Sequence, residues 1–440
     1  MMSSNAEKML ERINDMPVLD VHTHIDGDHA CARGLDDILL YHMVVTELYS
    51  SGCPDAERLS ENPSKEESRS RIEQALQYVE NIRNTSLYWV IKTILKDIYS
   101  WEEKLTPGNW DRLDSAIRER HGDKSAREIF NKANIKGLNT EYWRQKDGRF
   151  DDIYTYSLEW AFFSRCQYGQ FDTALVELEN TMGLDEPGVP IPVAMKRDDV
   201  RNLGALKSVE DVDAAMDKYC EAIPFDKISS IAQSASTALD FKFVTRDQMQ
   251  EAICNRHGAG NYERDVYANY IFDMFLQRVS SRKFKGTITL GLAAEPLRYE
   301  TGVYLRSETL YQLAEYFNKY SDLNFQIYLA GDSFDHAVCS LIRETPNLSV
   351  AGYWWHCFFP SLMERELALR LEMLPLNRQI GFFSDAYCAD WEYGKSALVK
   401  KITADVLGAK IDKGYYSLRD AEEIAGALLY DNANAYFRMK

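Results

Sequence analysis

Short runs of β-branched and aromatic residues alternate with helical patterns through the second half of the chain, and that alternation constrains the fold more than any other feature. The strand candidates are "IPVAM" (191–195), "FKFV" (241–244), "TITLGLA" (287–293), "FQIYLA" (325–330), "LSVAGYWW" (348–355) and "QIGFFS" (379–384), with an earlier one over 18–25. Between most of them lie amphipathic stretches such as "SETLYQLAEYFNKY" (307–320) and "SLMERELALRLEML" (361–374). Strand and helix in turn imply βαβ units, whose crossovers make the strands parallel. Because the strands are mostly apolar throughout, both sheet faces must be covered, as they are in a (β/α)8 barrel. An open doubly wound sheet is the rival, but no Gly-rich phosphate fingerprint follows a strand to support it. The expected fold class is α/β, a (β/α)8 TIM-type barrel.

The 440 residues accommodate one such barrel with insertions. "LDDILLYHMVVTELYSSG" (35–52) carries apolar residues at helical spacing and closes on Gly52. From 55 to about 165 the chain is charged and largely helical in pattern. The barrel is therefore expected over 1–54 and 166–440, with a helical insertion over 55–165 after the first strand and helix. No fixed-period repeat or low-complexity tract interrupts it.

A net charge of −17 with no compensating basic block argues against nucleic-acid and anionic-membrane partners. No apolar run approaches the roughly 18 residues of a membrane span, and the N-terminus "MMSSNAEKMLERINDMP" lacks a signal-peptide pattern, so the expected location is cytoplasmic. The eight cysteines form no CxxC pair and are expected to be reduced thiols.

Within the first strand candidate, "PVLDVHTHID" places His22 and His24 two residues apart. Side chains at that spacing on a strand share a face, so both imidazoles converge near the C-terminal mouth of a barrel, where barrel active sites are built. Two such imidazoles are half of a zinc-type coordination sphere, and Asp20 is placed to orient one of them. Alone, the pair fits two hydrogen-bonded histidines at a strand end equally well. The second indication is "GFFSDAYCAD": Asp385 ends the last strand candidate, and the last strand of a barrel lies beside the first. A carboxylate there can complete a His22, His24, Asp385 metal site and can also serve as a base, whereas Asp385 taken alone fits an N-cap or loop Asp better. Zinc is the expected ion, although this ligand set accommodates several first-row metals.

This ordered set resembles the amidohydrolase superfamily and, within it, the uronate isomerases. "VLDVHTHID", "YWW", the helix after it, "GFFSD" and the terminal "NANAYF" are similar to that family in order and spacing, over the first 52 residues and most of the chain after 285. The resemblance implies a metal held by His22, His24 and Asp385, with His42, Trp354 and Trp355 lining the substrate cavity and a homo-oligomeric assembly. It implies aldose–ketose isomerisation of a hexuronate, D-glucuronate to D-fructuronate, with Asp385 and His42 as the catalytic residues. This chain departs from the family pattern at three places. Tyr387 stands where the family has an Arg, Met43 where it has a Tyr, and Ala293 and Ala294 precede Arg298 where a His is expected. Tyrosine lacks the bidentate guanidinium fork suited to a carboxylate, so substrate recognition is expected to differ.

Arg298, Tyr387 and His356 are further substrate-binding candidates, beside readings as a surface ion pair for Arg298 and a structural stacked ring for His356. The cluster Lys196, Arg197, Asp198, Asp199 fits a solvated loop better. His29, His121, His257 and His336 receive no role. The alternative function is a mononuclear hydrolase or decarboxylase of the same superfamily, and the third is a non-catalytic barrel.

Overall fold

The computed structural model describes residues 2–54, 64–141, 148–159, 206–235, 239–296, 301–303, 305–354 and 358–437. Among them, eight parallel strands form one sheet: β1 (Val18–Thr23), β2 (Ile135–Glu141), β3 (Tyr154–Glu159), β4 (Ser230–Ser234) and β5 (Thr287–Leu292), then β8 (Asn324–Leu329), β9 (Leu348–Ala351) and β10 (Gln379–Ile380) after an antiparallel ribbon of β6 (Ala294–Pro296) and β7 (Thr301–Val303). Neighbours in the sheet follow chain order. Beyond β10 the chain runs on against β1, where Asp385 N donates to His22 O at 3.0 Å and His24 N to Ala386 O at 2.8 Å. The architecture is the expected (β/α)8 TIM-type barrel.

Side chains on one face of the strands meet inside the barrel. Asn139 Nδ2 on β2 reaches over β3 to Ser230 Oγ on β4 at 2.8 Å, and also donates to Val21 O on β1 at 3.1 Å. These groups bond one another because a buried polar group left unpaired is costly. On the other face Ile288, Leu290, Phe325 and Ile327 are buried beneath the surrounding helices, each such side chain contributing roughly 1.5–3 kcal/mol.

The connection from β1 to β2 carries helices Lys65–Ala75, Ser86–Tyr99, Trp110–Arg120 and Asp123–Ala133. Ser86–Tyr99 starts on Thr85, whose side chain accepts from Tyr88 N, and it packs on the long helix Ala389–Asp412. Gly394 permits that approach: a Cβ there would stand 2.7 Å from Val90 and 2.8 Å from Ile94. Lys400 of the same long helix donates to the carbonyls of Asn14 and Ala133 at 3.1 and 3.0 Å, the last residues of helices Ser4–Asn14 and Asp123–Ala133. Burial draws its pKa down to about 8.

Several expectations need correction. Residues 135–159 of the expected insertion contain β2 and β3, so its helices end at Ala133. The segment 241–244 is not a strand: Phe241 N bonds to Gln312 Oε1 at 3.0 Å and Lys242 N to Asn269 Oδ1 at 2.9 Å, so side chains take the place of a ladder. The strand from 348 ends at Ala351, and only Gln379–Ile380 of 379–384 is strand. The candidate at 191–195 and the charge cluster at 196–199 lie outside the described residues. Among the described residues no helix is long and apolar enough to cross a membrane, and the six described cysteines form no disulfide.

Candidate metal centre at the barrel mouth

β1 carries His22, and His24 follows directly after its last residue, but a simple strand would have turned Asp20 to the same side. Between Asp20 and Thr23 the register slips against Leu138 and Thr140, so that β1 gains one residue over β2. An extra residue of this kind re-aims the side chains on either side of it. Asp20 consequently turns to the outer layer, where its carboxylate accepts from His22 N at 3.1 Å, from Ser384 N at 2.9 Å and from the Ser384 hydroxyl. Its electrostatic neighbour in that layer is Glu392 of the helix Ala389–Asp412. Burial and then the charge of Asp20 push the Glu392 carboxyl well above its ordinary range. Asp20 thus holds the backbone of the site and does not orient an imidazole, a correction to the sequence expectation.

Inside the mouth His22, His24 and Asp385 come together as expected. Asp385 Oδ1 lies 3.3 Å from His22 Nε2 and 3.1 Å from His24 Nε2, and the three donor atoms lie within 4.8 Å of one another. Zinc with nitrogen and oxygen ligands at about 2.1 Å sets tetrahedral donors about 3.4 Å apart, so the spacing suits one divalent ion. His24 Nδ1 is hydrogen-bonded to Glu141 Oε1 at the end of β2. His22 stacks on Phe383 with centroids 4.7 Å apart, and Tyr328 on β8 tilts against it at 5.6 Å.

The electrostatics favour a cation. Burial alone would raise the pKa of Asp385, but hydrogen bonds from His22 and His24 hold it well below the usual carboxylate range. Burial opposes charge on His24 as well, yet Glu141, Tyr387 and the hydrogen bonds to Asp385 and Glu141 raise it well above an ordinary imidazole. Two buried carboxylates flanking one imidazole make a pocket for positive charge.

The other predicted residues divide. Tyr387 is 46 % exposed, with its ring 4.8 Å from His24. His42 lies beside it at 5.5 Å and against Tyr41 at 4.4 Å. Trp354 is buried one ring further back, edge-on to Tyr328 at 4.9 Å. Gly291 on β5 makes room for both rings, because a Cβ there would stand 2.6 Å from Tyr328 and 2.9 Å from Trp354. Arg298, Trp355 and His356 lie outside the described residues. Sequence reasoning missed Glu141, Tyr328 and Phe383. Glu141 was accessible in principle as the polar end of a strand, but "IKGLNTE" lacks the apolar run that announces one.

By sequence, the chain matches no family model and no curated protein. By fold it is similar to solved uronate isomerases over nearly its whole length. The uronate isomerase of Thermotoga maritima superposes with a TM-score of 0.77 at 12 % identity, covering 99 % of this chain and 98 % of that one. Glucuronate isomerase of Caulobacter crescentus gives 0.74 at 14 %, covering 99 % and 94 %, and a uronate isomerase of Bacillus halodurans 0.70 at 15 %, covering 100 % and 98 %. At these identities the likeness is one of fold.

Proposed function

We propose that this chain is a metal-dependent aldose–ketose isomerase acting on a hexuronate, converting D-glucuronate or a related sugar acid to its 2-ketose. The observation that carries the reading is the convergence of His22, His24 and Asp385 at the mouth of a barrel whose fold is that of uronate isomerases. These three residues would hold one divalent ion, for which we propose zinc, and its contribution when bound is to polarise the substrate carbonyl. The chain's own residues do the remaining work. Asp385, held ionised, takes the proton from C2 of the open-chain aldose and returns it to C1. The proton on O2 passes to O1, and we assign that transfer to His42 at the rim of the mouth. Atoms and electrons balance, since an aldose and its 2-ketose are isomers. Tyr387, the exposed ring over His24, meets the incoming substrate, and the Phe383 and Tyr328 rings limit water behind His22.

The test is NMR of metal-reconstituted protein with glucuronate and galacturonate in D2O. The expected result is ketose formation with deuterium at C1, abolished by His22→Ala with His24→Ala. Metal binding without ketose from either sugar acid would overturn the substrate assignment and favour hydrolysis or decarboxylation.

A further inference from the structure

Asp385 reaches both imidazoles from a backbone bent into the left-handed region, with φ at +55°. That conformation is sparsely populated for residues carrying a Cβ, although Asp tolerates it better than most, and it persists only where its surroundings hold it. Two buried side chains do so. The Tyr41 hydroxyl donates to Asp385 O at 2.9 Å. Lys395 Nζ, fully buried on the helix Ala389–Asp412, donates to Tyr41 Oη at 2.9 Å and to Ser384 O. The ammonium also lies over the rings of Phe358 and Tyr41, at 4.2 and 4.9 Å from their centroids. A buried lysine is rare without a partner that requires it, and the proposed reaction makes no use of this one.

We infer that Lys395 and Tyr41 are positioning residues, a relay from the outer helix to the main chain of Asp385 that sets its carboxylate where an ion can bridge it to His22 and His24. The inference rests on the proposed reading of the centre as a metal site. The hydrogen bonds of both residues go to main-chain carbonyls and to each other, and to none of the three side chains that would hold an ion. Lys395 acts on the carbonyl of Ser384 just before Asp385, and Tyr41 on the carbonyl of Asp385 itself, so their loss releases the carboxylate while leaving all three ligands present.

The experiment titrates Co2+ alone into metal-free full-length protein and follows the affinity and the visible d–d spectrum. The variants are Tyr41→Phe, Lys395→Met and, as a control, Tyr320→Phe, which loses a hydroxyl bonded to Asp273 among the outer helices. Far-UV circular dichroism verifies that each variant is folded. Tyr41→Phe and Lys395→Met are expected to bind Co2+ ten- to a hundredfold more weakly with an altered spectrum, and Tyr320→Phe to match the parent. Should Lys395→Met fail to fold, Tyr41→Phe decides, since it keeps the ring packed on Trp391 at 4.5 Å. Parental affinity and spectrum in Tyr41→Phe, or an equal loss in Tyr320→Phe, would overturn the positioning role alone. A parent that takes up no Co2+ would overturn the metal reading and this inference with it.

Discussion

Glu141 bonds His24 at Nδ1, while Asp385 approaches the same imidazole at Nε2. A carboxylate accepting from one ring nitrogen fixes the tautomer and directs the lone pair of the other toward a metal. Glu141→Ala is therefore expected to weaken metal binding by about ten- to a hundredfold. Glu141→Gln is expected to lose less, because its amide oxygen still accepts. Competition against a chromogenic chelator measures both, and equal affinity in Glu141→Ala and the parent would refute the role.

Gly291 stands where β5 passes beneath the Tyr328 and Trp354 rings. Gly291→Ala forces both rings to move and is expected to destabilise the fold by about 1–3 kcal/mol, as overpacking does. Urea denaturation reads the loss. An unchanged midpoint would mean that the rings yield freely.

The buried Arg370 donates to Asp335 Oδ1 from Nε and Nη2 at 2.9 and 2.6 Å and to Gly352 O at 2.7 Å, with Glu366 close by at 3.5 Å. Removing the guanidinium strands two buried carboxylates. Arg370→Met is expected to cost about 3–5 kcal/mol. A loss below about 1 kcal/mol in the same denaturation assay would show that the carboxylates protonate or find other donors.

Glu47 supplies a pH dependence. Burial pushes its carboxyl up to about 6, against a hydrogen bond from Thr85 at 2.6 Å. The folded protein keeps this proton where the unfolded chain, with an ordinary value of 4.5, has released it. Stability from this group is thus undiminished below pH 4.5, falls as the pH rises through the interval, and is lowest above 6. The side chain is partly exposed, so screening holds the effect to about 1 kcal/mol. Glu47→Gln is expected to be the more stable protein by about that amount at pH 7, with the difference gone at pH 4. Melting temperatures that differ equally at both pH values would exclude the carboxyl as the cause.

The parts of the fold legible in the sequence were those in which one period dominates. His22 and His24 share a face because strand side chains repeat every two residues, and Asp385 joins them because a barrel returns its last strand to its first. β5 and β8 announce themselves as apolar runs. β2 and β4 do not, because "IKGLNTE" and "SIAQS" give their inward positions to Asn139 and Ser230, which satisfy each other only inside the closed barrel. With β2 hidden, Glu141 was hidden too. That Asp20 does not orient an imidazole has a different origin: the extra residue in β1 answers to its pairing with β2, a non-local circumstance that no period within "VLDVHT" records.

The long helix Ala389–Asp412 receives the N-terminal helix Ser4–Asn14, the inserted helix Ser86–Tyr99 and, through Lys395, the hold on Asp385. Its place in the chain makes the site depend on contacts between distant segments. His24 and Asp385 are 361 residues apart, and the helix that braces the carboxylate follows it. The three side chains therefore meet only where the chain beyond β10 has packed back against β1.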